Sequence, residues 1–336
     1  MSETEVPNVK DPAEILEGLP ASVGKLHAAM ELVVVGQGPT VEAALYALLA
    51  RGHCLLVGVP GLGKTLLVNA LARFFGLPFS RIQFTPDLMP SDITGTEILE
   101  EDAGTGHRRF VFIPGPVFTS LLLADEVNRT PPKTQSALLE AMQERTVTVA
   151  GKIRRLEEPF MVLATQNPIE QEGTYSLPEA QLDRFLFELR LSYPSAEDER
   201  RVVEQHSFAP LEKVTPLWTR EEILALRDAV ERIPAPPPVV DYAVRLVRAT
   251  RPEDPTAPPF VKRGVRWGAS PRATQFLVIA GRARAACQGR FNVSREDVRA
   301  LAPWVLRHRV IRSFEAEADG LSTEEIITKV LAEVAP

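Results

Sequence analysis

The octapeptide Gly58-Val59-Pro60-Gly61-Leu62-Gly63-Lys64-Thr65 constrains this chain more than any other feature. It matches G-x-x-x-x-G-K-[ST] in full, a pattern that works as the turn between a buried strand and a helix. Both flanks fit that context. Leu55-Leu56-Val57 is a short apolar run entering the turn, and Leu67, Val68, Leu71, Phe74 and Phe75 recur at helical spacing until Gly76 and Pro78 stop the helix. Glycines in such a turn let backbone N–H groups approach phosphate oxygens at a helix N-terminus, where the dipole favours an anion. Lys64 is expected to contact the β- and γ-phosphates, and the Thr65 hydroxyl to bind Mg2+. Leu66, next in the first helical turn, is counted with the phosphate-holding residues.

At 336 residues, and about 150 per domain, the chain has room for roughly two domains. The first two-thirds alternates short apolar runs with helical patterns, which predicts an α/β layer with a parallel sheet. Leu121–Ala124 and Met161–Ala164 are further buried-strand candidates, and Phe185–Leu191 supplies a last strand. Two hairpins are expected on this plan. Thr146–Val149 and Ile153–Leu156 flank a turn at Ala150-Gly151-Lys152, and Glu97–Leu99 and Arg109–Ile113 flank the polar stretch Glu100–His107. After Tyr193-Pro194 the pattern becomes helical. Ser195, Thr219 and Ser322 each open a capping box, and Ser270-Pro271 is another helix start. The proline-rich stretches Pro234 to Pro238 and Pro252 to Pro259 read as stiff loops. Residues 1–193, with hairpins near 97–113 and 146–156, are therefore expected to form an α/β nucleotide-binding domain, and residues 194–336 a smaller all-α domain.

Composition narrows the class of function. With 45% hydrophobic and 24% charged residues the chain is an ordinary globular one, which rules out wholesale disorder. Cys54 and Cys287 are far apart, which excludes a disulfide framework and a CxxC metal knuckle and fits a reducing cytosol. The histidines His27, His53, His107, His206 and His308 are scattered, so a dedicated zinc site is not expected. No apolar run approaches the ~18 to 20 residues needed to cross a bilayer, and the start Met-Ser-Glu-Thr-Glu is acidic. A soluble, cytoplasmic protein without a membrane span is expected. The net charge of −6 argues weakly against a polyanion partner. Yet residues 245–312 carry fifteen Lys/Arg against four Asp/Glu, a net +11 that leaves −17 elsewhere. This segment is expected to face nucleotide phosphates or an acidic neighbouring surface. Nucleic-acid binding and an ordinary solvated surface are the alternatives.

Asp125 and Glu126 close the apolar run Leu121–Ala124. A strand ending in two carboxylates is commonplace by itself. Beside a glycine loop it can place one carboxylate on a Mg2+ shell and leave the other to polarise a water, so Asp125 is read as needed for binding and Glu126 for hydrolysis. Asn167 lies just past the strand Met161–Thr165 and before Pro168, either at the ligand-binding edge of the sheet or as a plain turn former. Arg184 can stabilise a transferring phosphoryl group or sit in a surface ion pair, and the same two readings hold for Arg272 at a helix start.

Taken together, the motifs resemble the AAA+ ATPases, specifically the MoxR family. The similarity rests on Arg81–Asp87, Gly58–Thr65, Leu123–Arg129, Pro131–Glu144, Ala164–Glu172, Leu177–Phe185 and Gly268–Ala273, and spans about residues 30 to 310. Val57, Gly38 and Ser176 depart from the family pattern at positions outside the inferred chemistry. The resemblance implies an ATP/ADP- and Mg2+-dependent ATPase with an AAA+ core, inserted hairpins and a helical lid. By position, Asp125 would hold the metal, Glu126 would activate water, and Asn167 would be sensor 1. Arg184 would reach as an arginine finger into a neighbouring subunit's site, and Arg272 would be the nucleotide-binding sensor 2 residue from the helical lid. The loop Val35-Gly36-Gln37 would hold adenine, and the hairpins would face a ring's pore or a client. A hexameric, ring-forming remodelling chaperone is implied, whose clients carry von Willebrand factor A domains and whose work is often maturation or metal insertion. A nucleic-acid motor is the runner-up, and a nucleotide-gated subunit similar to that of magnesium chelatase a third reading. A GTPase is disfavoured because no Asn-Lys-x-Asp stretch occurs.

Overall fold

A computed structural model describes residues 12–101, 107–169, 173–204 and 214–335. The acidic start, the tip of the first hairpin, His206, and the end of the Ala164–Glu172 match lie outside the described residues. In chain order the strands are β1 (Cys54–Val57), β2 (Phe79–Gln83), β3 (Gly95–Glu101), β4 (Arg108–Pro114), β5 (Leu121–Asp125), β6 (Thr146–Val149), β7 (Lys152–Arg155), β8 (Met161–Gln166), β9 (Phe187–Arg190), β10 (Val265–Trp267) and β11 (Ile311–Arg312). Five of them form one sheet in the order β2-β5-β8-β1-β9, every neighbour parallel. Parallel pairing needs crossovers, and helices such as Lys64–Phe75 and Pro132–Glu144 supply them.

Alternation along each strand builds two cores, one per face. Cys54, Leu56, Leu121, Leu123, Met161 and Leu163 point to the first. There they meet Leu48 of the helix Gly38–Leu49, Phe75 of Lys64–Phe75 and Leu277 of the helix Pro271–Cys287. Leu55, Leu122, Ala124, Val162 and Ala164 point to the second core, against Leu138 and Met142 of Pro132–Glu144. The C-terminal helices therefore share the first core with the sheet. After β9 the described chain is helical apart from the small antiparallel pair β10–β11.

Both expected hairpins form. β3 pairs with β4 and β6 with β7, each antiparallel. The second turn is one residue tighter than expected, because Lys152 pairs with Val149 and leaves only Ala150 and Gly151 at positive φ, 50° and 75°. Glu97 of β3 accepts from Lys152 and Arg154 of β7, and the Arg154 guanidinium lies 3.6 Å from the centroid of the Phe112 ring of β4. That contact makes one body of the two hairpins.

Two sequence expectations are refined by the structure. The proline-rich stretches are loops over 234–236 and 252–258, and only their last prolines enter helices. Pro237 and Pro259 are the first residues of the helices Pro237–Arg248 and Pro259–Gly264, because proline's fixed φ suits the first helical position and its missing N–H is not needed there. The basic segment, for its part, is partly paired within the chain. Arg248 pairs with Asp254, Arg284 and Arg290 with Asp297, Arg307 with Glu324, Arg309 with Asp183 and Arg312 with Glu317. Arg299 donates to the Tyr242 hydroxyl and the Leu331 carbonyl. Glu324, Asp183 and Glu317 come from outside the segment and offset part of the +11, while Lys262, Arg263 and Arg266 stay exposed.

Candidate functional site at the carboxyl edge of the sheet

The chain leaves β1 and β8, which lie side by side, in opposite directions along the sheet. Such a divergence opens a crevice at the carboxyl ends of the strands. The glycine loop follows β1 into it. Gly61 and Gly63 take φ of 86° and 70°, a left-handed backbone that a side chain resists, and Gly63 caps the helix Lys64–Phe75. A Cβ on Gly58 would lie 2.9 Å from the Leu191 Cβ, so this glycine lets the loop pass under the end of β9. Pro60, Gly61 and Gly63 are exposed, while Val59, Leu62, Thr65 and Leu66 are half-buried. The Lys64 ammonium folds back over the loop and donates to the Gly58 carbonyl.

The two carboxylates arrive on the neighbouring strand. Asp125 ends β5 and accepts from the Thr165 hydroxyl of β8 at 2.6 Å and from Arg81 of β2 at 2.7 Å. Glu126 sits at φ 57°, and its N–H donates to the same Thr165 oxygen at 2.8 Å. One fully buried hydroxyl therefore ties both acids to the adjacent strand. The Glu126 carboxylate accepts from Gln83 at 2.7 Å and from Arg129 at 2.9 Å. Asn167, one residue past β8, is buried. Its Oδ1 accepts from the Ile169 N–H, and its Nδ2 has no hydrogen-bond partner among the described residues.

The loop Val35-Gly36-Gln37 packs against the helix Ala196–Glu204 that follows β9. From its contact with Gly58, Leu191 leads within seven residues to Asp198, and a Cβ on Gly36 would lie 3.0 Å from the Asp198 carboxylate. Val35 and Gln37 are buried, and Gln37 accepts from the Thr40 hydroxyl.

Arg184 and Arg272 are elsewhere. They line a shared cavity of about 190 Å3 with Arg51, Gly52, His53 and Arg145. Gly52 and His53 precede β1, so this cavity opens at the amino edge of the sheet. Six residues of near-extended chain separate Gly52 from Gly58, which is roughly 20 Å at about 3.3 Å per residue. Within one chain Arg272 therefore stands away from the glycine loop. Ser270 donates to Asp183 at 3.1 Å, and the Arg272 guanidinium lies 3.7 Å from it, which pins the start of the helix Pro271–Cys287 next to Arg184. Arg184 itself donates to the Leu139 carbonyl at 2.8 Å. A larger cavity, about 540 Å3, lies next to this junction and is lined by Glu179, Asp183, Trp267, His308 and Arg309.

Comparison with known proteins decides the family. Residues 53–187 match the model of the ATPase family associated with various cellular activities (AAA), and residues 260–330 match the AAA lid domain. The chain is 46% identical to Chaperone MoxR1 of Mycobacterium tuberculosis over 95% of its own length and 84% of that protein's. It belongs to the MoxR family of AAA+ ATPases. Protein MoxR of Methylorubrum extorquens is a more distant relative, 35% identical over 82% of this chain and 84% of that one. A crystal structure from Cytophaga hutchinsonii, described as a candidate ATPase, superposes with a TM-score of 0.87 at 41% identity, covering 96% of this chain and 97% of the other. The expected fold is thereby borne out: a parallel sheet flanked by helices, with inserted hairpins and a helical lid.

Within this MoxR-family site, sequence reasoning missed Thr165, Gln83, Arg81 and Arg129. Their functional position depends on strand register. Gln83 stands opposite Asp125 in the β2–β5 ladder, and Thr165 follows the Ala124–Ala164 pair of β5 and β8. The available signal was a polar residue at the carboxyl end of each apolar strand.

Proposed function

We propose that this protein binds ATP at the carboxyl edge of its sheet and hydrolyses it in a homo-oligomeric ring, hexameric by the family resemblance. The turnover would serve to remodel or mature a protein partner. The observation that carries this reading is the separation of the charged groups. Asp125, Glu126 and Asn167 gather beside the glycine loop, while Arg184 and Arg272 stand together roughly 20 Å away, at about 3.3 Å per residue. Arg81 and Arg129, the arginines of this edge, pair with Asp125 and Glu126, so an arginine for the phosphates would come from another copy, and a closed ring gives every copy that neighbour.

The residues present fit a nucleotide with a divalent cation. The glycine turn leaves no room for a Cβ at Gly58, and the buried Asn167 amide nitrogen still needs an acceptor. The hard oxygens of Thr65 and Asp125 would hold Mg2+, which would neutralise phosphate charge. Gly58–Leu66 would bind the phosphates through backbone N–H groups, and Lys64 would turn from the Gly58 carbonyl to the β- and γ-phosphates. Val35-Gly36-Gln37 would lie against adenine. Glu126 would orient the attacking water and take its proton, once released from Gln83 and Arg129, whose hydrogen bonds occupy its carboxylate. Asn167 would hold that water in line. Arg184 and Arg272 would meet the phosphates of the adjoining subunit, where their charge stabilises the transition state.

The name Chaperone MoxR1 of the relative supports a protein client. A von Willebrand factor A domain protein is the partner the family resemblance suggests, with maturation or metal insertion as the task. We also take residues 1–193 as the nucleotide-binding part, 194–336 as the lid, and the cytoplasm as the location. No helix among the described residues is long and apolar enough to cross a membrane. Phosphate release from Mg-ATP tests the core of the reading, with Lys64→Ala as the blank. Turnover that survives in Lys64→Ala overturns it.

A further inference from the structure

The segment that carries Arg184 is gripped from the lid by one run of three residues. Arg307 donates to the Glu188 carbonyl at 3.0 Å, and His308 Nε2 lies 3.1 Å from the Phe185 carbonyl. Arg309 does most of the gripping. Its Nε donates to the Asp183 carboxylate at 2.7 Å, and its Nη2 donates to the carbonyls of Asp183 at 2.9 Å and Phe185 at 2.6 Å. Its Nη1 donates to the Leu186 carbonyl at 3.5 Å and to the Val305 carbonyl of the helix Arg295–Leu306. The guanidinium is buried and lies 5.0 Å from the Phe276 ring of the helix that Arg272 begins.

The chemistry explains why an arginine is needed. The short helix Glu179–Leu182 ends just before this segment, and the carbonyls that follow have no intrahelical donor. A planar fork with five donors can serve a carboxylate and several carbonyls at once, whereas lysine offers a single point of charge. Asp183 also holds Ser270 and Arg272 of the lid. One carboxylate thus joins Arg309, the start of the Arg272 helix and the residue beside Arg184. Catalytic groups must be held to within about half an ångström to act, so whatever fixes this segment also fixes the arginine it bears.

We propose that Arg309 is a positioning residue that locks the Arg184 segment to the lid, so that the lid's placement in one subunit sets hydrolysis in the next. Arg309 touches neither nucleotide nor water and acts only through Asp183–Leu186. The proposal rests on the shared-site reading above.

Mixed oligomers test it directionally. A Glu126→Gln subunit has a dead site and a working arginine, and an Arg184→Ala subunit has the reverse. Each alone is inactive, and mixing them restores turnover wherever the first serves the second. Arg309→Lys is then added to one partner at a time, with oligomer mass followed by light scattering. Placed in the Glu126→Gln partner, it should cut restored activity at least tenfold. Placed in the Arg184→Ala partner, it should leave restored activity within about twofold, because the arginine it would misplace is already gone. A purely structural role would lower both arms alike. Equal losses, or no loss in the first arm, overturn the proposal. Asp183→Asn, run through the same two arms, replaces Arg309→Lys if that variant fails to assemble and must show the same asymmetry. If the parent mixture restores nothing, the shared-site reading fails and this proposal falls with it.

Discussion

Replacing Thr165 with valine removes one oxygen from the middle of the site and leaves the shape nearly unchanged. That oxygen donates to Asp125 at 2.6 Å and accepts from the Glu126 N–H at 2.8 Å. A hydrogen bond to a charged group contributes about 1.5–3 kcal/mol, and an amide left without a partner costs roughly 1–3 kcal/mol. Asp125 keeps Arg81, and the edge of the sheet admits water to the part-buried Glu126 amide, so the lower half of each range applies. A loss of about 3 kcal/mol in stability follows. The effect on rate is separate. Glu126 holds a left-handed backbone, φ 57°, which a non-glycine residue resists by about 1–2 kcal/mol, and the Thr165 bond is one of the contacts that keeps it there. Freeing it misplaces the base, and a misplacement worth about 1.4–2.7 kcal/mol lowers kcat about 10- to 100-fold. Steady-state ATPase assays with thermal melts read both quantities. KM should change little, because the glycine loop is untouched, and Thr165→Ser should restore most of kcat. A folded Thr165→Val protein with kcat within twofold of the parent would refute the claim that this hydroxyl sets the carboxylates.

Three further outcomes are expected. Glu126→Gln should bind ATP with near-parental affinity by equilibrium titration while turnover falls at least about a hundredfold, since general-base loss removes about 10²–10⁴ in rate. Asp297, fully buried, accepts from Arg284 and Arg290 at 2.5 Å and from the Ser294 N–H at the start of the helix Arg295–Leu306; Asp297→Ala leaves both arginines their Gln288 and solvent contacts and should cost about 1.5–3 kcal/mol in urea unfolding. Burial pushes His53 down to about 4, although its bond to the Met142 carbonyl opposes this, and burial also drives His308 well below its ordinary value. The unfolded chain therefore takes up protons that the folded one refuses. Stability is complete above about pH 6.5 and falls as pH drops toward 4, by about 3 kcal/mol from His53 alone. His53→Gln, which can still accept from Val162 and donate to Met142, should flatten that slope in unfolding curves between pH 7 and 5.

The parts of this molecule that read directly from sequence are those whose chemistry is local. The glycine loop, the Asp125-Glu126 pair and the capping boxes at Thr219 and Ser322 are each complete within eight residues, and the structure forms each as expected. Residues whose role needs two strands in register escaped notice. Thr165 looks like any polar end to an apolar run until β8 is laid beside β5. How far Arg272 stands from the glycine loop depends on where the lid docks, which the Asp183–Arg309 pair, 126 residues apart in sequence, decides. The partial pairing of the basic segment was not legible because charge counting along a chain cannot see Asp183 or Glu324 folding back onto it.

The central claim is that one subunit's arginine completes another's site. The most direct measurement is the ATPase rate per subunit across a wide range of protein concentration, with oligomer mass followed in parallel and Arg184→Ala as the comparison. The account predicts a rate that climbs with the assembled fraction, vanishes in the monomer, and stays near zero in Arg184→Ala at every concentration. A monomer that hydrolyses ATP at the full rate would contradict it.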